Sequence, residues 1–379
     1  MGGEDQKMKE TEAAAAPKPV EKWPGTKKAL DDTLKVVQSL SRAIRSLEDA
    51  IKLGRVSLSK VKEPKNRKLF EAHFKEMEKG VEIKKKELAG LRDRYFLEAA
   101  KGLEKPDKIF RTHEDAAKFV ESRRKEFEGV VAKAGIKLYD MGKLPEISER
   151  DRDFLGMYVK EGSDWVKGFL PSKIRERFER TPLVVMIGNS KYFMQISQVS
   201  GGVTGGIYLP GTNVIALPDY MVSRDFSGMR THIVVHENLH YAAFLGGGNI
   251  FRWRDEKGAP VVRGYISWFH EGLTELHAQQ ITYQNSSGGA APVAYPRETE
   301  FSFLLQTLVG KDTLKEAYFS GDLTKVRQAV DEKLGPGTFD ALISKKRGTE
   351  ALALLSDKIK AAGMNPDSLM EKWKISRGV

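Results

Sequence analysis

Five of the seven histidines, His232, His236, His240, His270 and His277, fall between positions 232 and 277. Imidazoles crowded in this way, in a chain without cysteine, point to a metal site built from nitrogen and oxygen donors. At its centre stands His236-Glu237-Asn238-Leu239-His240, an H-E-x-x-H whose apolar neighbours Ile233, Val234 and Leu239 make the stretch helical. A spacing of four puts both imidazoles on one helix face, where their nitrogens can reach one zinc ion at about 2.0–2.1 Å. Glu237 then projects alongside, toward a water on the metal. In this composition an accidental H-E-x-x-H is expected on the order of 0.01 times. His232 lies about 12 Å from His240 along the helix axis, too far to join the same ion, and reads as a packing or hydrogen-bonding residue.

A hydrolytic zinc needs a third protein ligand and an open position. A histidine six residues after His240 would mark the metzincin layout, but Gly246 stands there, and Ala243 stands where that layout has glycine. The chain offers instead Ser267-Trp268-Phe269-His270-Glu271-Gly272-Leu273-Thr274-Glu275. Ser267 can cap a helix, and Gly272 lets two helix backbones approach closely. Glu271 and Glu275 share a face at i, i+4, so one carboxylate can ligate while the other holds a ligand histidine by its second ring nitrogen.

With these two segments the sequence resembles the gluzincin zinc peptidases, the peptidase MA-like group, in which a W-x-x-E-G segment on a second helix supplies a glutamate ligand. The resemblance covers roughly residues 180–315. It implies that Glu271 completes the zinc site with His236 and His240, one ion per chain, and that Glu275 orients a ligand histidine. It implies a general-base role for Glu237 in peptide-bond hydrolysis. The stretch from Gly205 to Leu217 is similar to the paired strands that precede the active helix in this family, which would make Gly206, Ile207 and Tyr208 an edge that pairs with substrate main chain. The G-A-M-E-N motif of aminopeptidase N-like members is absent, so recognition of a free amino terminus has no support and an endopeptidase is expected.

An oxyanion needs a donor about 3 Å away, and two tyrosines compete for that role. Tyr295 opens a segment resembling the helix that carries the catalytic tyrosine of aminopeptidase N-like enzymes, although the glycine usual after it is Pro296 here. Tyr265, six residues before Glu271, matches the placement in lethal-factor-like gluzincins. His270 replaces an asparagine common in the family and is a candidate substrate contact.

The elements that must position these groups are legible in the hydropathy pattern. Leu30, Leu34, Val37, Leu40, Ile44, Leu47 and Ile51 make one helical stripe; Phe70, Phe74, Met77, Val81, Leu88, Leu91 and Tyr95 make a second, after a break at Glu63-Pro64. Two long helices joined by a short basic turn predict an antiparallel hairpin or coiled coil over residues 25–105, behind a disordered tail over 1–24. Thr112 is placed to cap a helix over 113–134, and a further helix is expected over 150–180. Strands are expected at 183–187, 192–198, 206–209 and 213–217 as the one sheet, then a helix from Ser227 to Leu245 stopped by Gly246-Gly247-Gly248, then helices to the end.

The expected fold class is α+β and mostly helical: a zincin-type peptidase domain over 106–379, preceded by the hairpin. Its upper part, 106–250, would carry the sheet and the H-E-x-x-H helix; its helical lower part, 251–379, would carry the glutamate ligand.

The 379 residues are 40% apolar and 30% charged, which excludes a wholly disordered chain, and no apolar run approaches the roughly 18 residues of a membrane helix. The amino-terminal residues lack the layout of a secretory signal and fail the myristoylation pattern, and without cysteine there are no disulfides, so a cytoplasmic protein with no membrane partner is expected. Of the net charge of +11, +9 lies in residues 1–180. The partners expected are therefore a peptide or protein substrate at the zinc site and, at the basic hairpin, a nucleic acid or another protein. The alternative function is a nucleic-acid- or protein-binding scaffold in which the hairpin acts and the zinc site is structural or vestigial.

Overall fold

The computed structural model describes residues 27–59, 63–101, 110–146, 153–188, 205–209, 211–218, 227–255, 257–263, 265–286 and 294–376. The expected tail, the strand over 192–198 and the boundary at 105/106 lie outside them. The described residues are mostly helical with a small mixed sheet, as an α+β class requires. Among them no helix is long and apolar enough to cross a membrane.

Helix α1 (Lys27–Leu58) and helix α2 (Pro64–Lys101) bury residues at seven-residue intervals, Leu30, Val37, Ile44 and Ile51 on the first and Val81, Leu88 and Tyr95 on the second. That period keeps one seam facing the partner helix. Glu48 meets Lys85 at 2.9 Å and Arg55 meets Glu78 at 2.6 Å, so the sequence rises along one helix as it descends along the other. Phe70, expected in the seam, is 46% exposed, because its level along α2 lies beyond the end of α1.

Helix α3 (His113–Ala132) starts where Thr112 Oγ1 accepts the Asp115 amide, 3.0 Å away. The region expected as one helix over 150–180 is broken in two. A π-helical turn (Leu155–Lys160) leads into α4 (Glu161–Phe169), and Pro171, which cannot donate to a continuing helix, separates it from α5 (Ser172–Arg180).

In the sheet, β1 (Tyr139–Asp140) lies antiparallel to β2 (Val184–Gly188), β2 parallel to β4 (Val214–Pro218), and β3 (Ile207–Tyr208) antiparallel to β4 at the far edge. Both central strands are buried on both faces, which explains their unbroken apolar runs. Val184, Met186, Val214 and Ala216 join one core with α1, α2 and α3; Val185, Ile215 and Leu217 join a second, larger core on the opposite face. The sheet therefore stands between α1 and α2 on one side and the helices described next on the other, with α3 reaching both cores.

Helix α6 (Ser227–Gly246) lies on that opposite face. Tyr241 on α6 donates to Thr181 O at 3.2 Å, and the buried Arg177 guanidinium donates to Leu245 O at 2.5 Å, a cation placed at the negative end of the helix dipole. A two-stranded sheet, β5 (Phe251–Arg254) with β6 (Pro260–Arg263), follows where only helix was expected. The four-residue strands carry too little periodicity to be read against Asp255 and Lys257, yet Phe251 and Trp253 alternate inward as a half-buried strand demands.

Helix α7 (Ser267–Asn285) packs on α8 (Pro296–Val309). A β-carbon at Gly272 would sit 2.4 Å from Glu298 O, so only glycine permits this approach. The larger core is completed by α9 (Lys311–Ser320), α10 (Thr324–Leu334), α11 (Thr338–Ile343), α12 (Gly348–Ala361) and α13 (Pro366–Ser376).

Candidate metal centre

Helices α6 and α7 cross so that His236 and His240 from the first face Glu271 from the second. His236 Nε2 and His240 Nε2 are 3.1 Å apart, and Glu271 Oε2 stands 3.4 Å from one and 3.2 Å from the other. A tetrahedral ion with bonds of about 2.0–2.1 Å separates its ligand atoms by about 3.3 Å, so this near-equilateral triangle fits such an ion. Two imidazole nitrogens and a carboxylate oxygen are donors suited to zinc. These residues could hold a metal ion on the chemistry of the donor set and on its spacing.

Each donor is fixed through its other polar atom. His236 Nδ1 donates to Glu275 Oε2 at 2.9 Å, leaving the Nε2 lone pair free for the triangle. His240 Nδ1 lies 3.2 Å from His270 Nδ1, the two rings stacked at 5.1 Å. Tyr265 donates its hydroxyl to Glu271 Oε1 at 3.1 Å, so the oxygen outside the triangle is held as well.

Glu275 is wholly buried yet fully engaged. Its Oε1 accepts from His232 Nε2 at 3.1 Å, Gln279 Nε2 at 2.8 Å and the Ala294 amide at 3.3 Å, and the far nitrogen of His232 meets Thr282 Oγ1 at 3.1 Å. Burial pushes the Glu275 pKa up, but the charges and hydrogen bonds of His232 and His236 outweigh it and hold the carboxyl well below its usual range. Glu271 is likewise raised by burial and pulled further down by His240 and His236.

Glu237 accepts the Tyr208 amide at Oε2, 2.7 Å away, which ties the β3 edge to α6. The approach requires Gly206, where a β-carbon would stand 2.9 Å from Glu237 Cγ. Burial is the main cause raising the Glu237 pKa. The Tyr208 ring stacks on His240 at 6.5 Å, while Ile207 pairs with Ala216 and is only half-buried. Tyr295, 38% exposed, stacks on His236 at 5.9 Å and hydrogen-bonds Glu271. For Tyr265 and Tyr295 burial raises the phenol pKa, reinforced by the Glu271 charge, so both remain donors at neutral pH.

His236, His240, Glu271, Glu237, Glu275, Tyr265, Tyr295 and Tyr208 thus come together. His270, expected among substrate contacts, is 2% exposed and stands behind His240. The tie from His240 to His270 joins two helices, and no spacing along one helix announces it. The chain matches no family model, and comparison with curated proteins and with solved structures gives no match.

Proposed function

We propose that the chain is a zinc-dependent peptidase of gluzincin type, an endopeptidase acting on protein substrates, with a zincin-type domain preceded by an antiparallel helical hairpin. The observation that carries this reading is the 3.1, 3.2 and 3.4 Å triangle of His236, His240 and Glu271, with the buried Glu237 carboxylate near enough to feel the charges of all three. His236, His240 and Glu271 would hold one zinc ion, which when bound supplies Lewis-acid polarisation of a carbonyl and acidifies water.

The Tyr208 amide occupies Glu237 Oε2, so Oε1 is the atom left to take a proton from the attacking water and return it to the leaving nitrogen. Burial is the main cause raising the Glu237 pKa, which makes it a stronger proton acceptor than an exposed carboxylate. Gly206, Ile207 and Tyr208 would be the edge that meets an extended substrate, with the Tyr208 amide already given to Glu237 and only the remaining outward main-chain groups left to pair. Both tyrosines reach Glu271; Tyr265 orients it, and Tyr295, the more exposed of the two, would turn its hydroxyl to the developing oxyanion.

Metal analysis by mass spectrometry, run with casein cleavage, tests this. One zinc per chain is expected, lost together with hydrolysis in Glu271→Ala; Glu237→Gln should keep zinc and lose nearly all hydrolysis. Hydrolysis retained in Glu237→Gln removes the general-base assignment. A loss in Tyr295→Phe that exceeds the loss in Tyr265→Phe assigns the oxyanion donor, and the reverse order moves it.

A second reading, a scaffold with a structural or vestigial zinc site, draws on a cavity of about 780 Å³ among α1, α2 and the end of α3, lined by Arg42, Arg45, Lys85, Arg92 and Lys133. Salt-dependent binding of DNA, RNA or an acidic protein there, unaffected by zinc removal, would favour it. No binding at low salt discards it.

A further inference from the structure

A second cavity, about 700 Å³, opens directly onto the triad: Glu271, Tyr265 and Tyr295 form one wall, and Arg263, Lys345, Lys346 and Arg347 line the rest together with Glu298. The β3 edge meets the triad at His240, through Tyr208, whereas this cleft meets it at Glu271. A substrate that spans the triad from the His240 side to the Glu271 side would meet a cleft whose lining cations outnumber its anions.

The cations sit on a braced loop, not a loose one. The Arg263 guanidinium donates to Ile343 O at 2.9 Å, Trp268 Nε1 on α7 donates to Lys345 O at 3.1 Å, and Gly348 is pressed against the Glu298 side chain of α8. The backbone of residues 343–348 is thus held against β6, the helix carrying Glu271 and α8, which keeps this cationic stretch beside the Glu271 end of the triad. Lys346 and Arg347 are exposed to solvent.

We infer that this cleft is a subsite for carboxylate side chains, so that the substrate carries a run of Asp or Glu on one side of the bond that is cut. The inference rests on the peptidase reading for the cleavage and on the cleft alone for the recognition. A single terminal carboxylate also carries the required chemistry, but cations from β6 and from three successive loop positions match a run of acids better than one group.

The test uses the full-length zinc-loaded chain and quenched fluorescent peptides that share one core sequence, flanked by Glu-Asp-Glu or by Gln-Asn-Gln, each with an amidated or a free carboxyl terminus. The amidated acidic peptide should show kcat/KM about tenfold above its amide counterpart at low ionic strength, with the ratio shrinking as salt is added. In Lys345→Glu/Lys346→Glu/Arg347→Glu the ratio should fall to one or below, with zinc content and the far-ultraviolet spectrum retained. Lys346→Gln alone should reduce the ratio partway, which keeps the test informative if the triple variant misfolds. Equal rates for acidic and amide flanks overturn the inference, as does a preference untouched by charge reversal or one that requires a free carboxyl terminus. Binding of the amidated peptides to Glu237→Gln, followed by fluorescence anisotropy, reads the cleft without catalysis. Tighter acidic binding with no cleavage by the wild type would sink the peptidase reading and leave the subsite standing, and equal binding of the two peptides would sink the subsite.

Discussion

The α1–α2 pair and the α6–α7 pair place their ionisable groups in opposite environments. Along α1 and α2 the seam is apolar and the charges face water: the residues of the Arg55–Glu78 and Glu48–Lys85 pairs are all more than 40% exposed on their side chains. Between α6 and α7 the charges are the seam, with Glu275 at 0% and His232 at 4% side-chain exposure. A helix pair held by apolar burial tolerates surface changes, whereas removing one member of a buried charged network strands the others. Glu275→Leu should therefore be the most damaging single change, leaving His232 and His236 without their acceptor. A loss of about 3–5 kcal/mol is expected in denaturant unfolding, with zinc affinity falling 10- to 100-fold or more. Wild-type stability in Glu275→Leu would show that the network contributes nothing to the fold.

The same comparison predicts a different signature for the apolar seam. Ile44→Ala removes a side chain that is 5% exposed and should cost about 2–3 kcal/mol while zinc affinity stays within twofold. Isothermal titration with zinc, alongside the unfolding curve, reads both quantities, and a parallel loss of zinc would tie the two regions more closely than their separate cores imply.

His277 tests burial without a counter-ion. Burial, joined by repulsion from Lys315 and Lys311, pushes its pKa down to about 3, and its Nε2 meets no partner among the described residues. The folded pKa lies below the unfolded value of about 6.5, so the unfolded chain takes up a proton that the folded chain refuses between those values. This contribution is complete above pH 6.5 and is lost as the pH falls, at about 1.4 kcal/mol per pH unit. His277→Phe, among Phe169, Tyr318 and Phe319, should flatten the acid limb of stability by one proton; identical slopes in both proteins refute the assignment.

These differences also decide what the sequence discloses. A seven-residue apolar stripe is a one-dimensional signal, and it located α1 and α2 but not Phe70, whose exposure depends on where the opposing helix stops. His236, Glu237, His240, Glu271 and Glu275 are spaced along single helices and are readable for that reason. The ties from His232 to Glu275, from His240 to His270 and from Tyr208 to Glu237 join separate elements, and only the crossing of those elements creates them. The β5–β6 pair escaped because four residues are too few for a period to emerge between charged turns.

The smallest effect belongs to Arg55 and Glu78. Their atoms are 2.6 Å apart, a good distance for a charged hydrogen bond, and the pair spans α1 and α2 where the seam begins. Geometry alone would rank it beside the Glu275 network. Both side chains are about half exposed, however, so water screens the attraction, and ordering two long side chains offsets much of what remains. A double-mutant cycle through Arg55→Ala and Glu78→Ala should return a coupling of about 0.2–1 kcal/mol at low salt, shrinking toward zero near 1 M salt, where the screening length is about 3 Å. A coupling above about 2 kcal/mol, or one indifferent to salt, would place this pair in the same class as the buried network and erase the contrast between the two regions. A vanishing one would leave Glu48–Lys85 as the remaining ion pair between α1 and α2 among the described residues and put nearly all of their adhesion in the apolar seam.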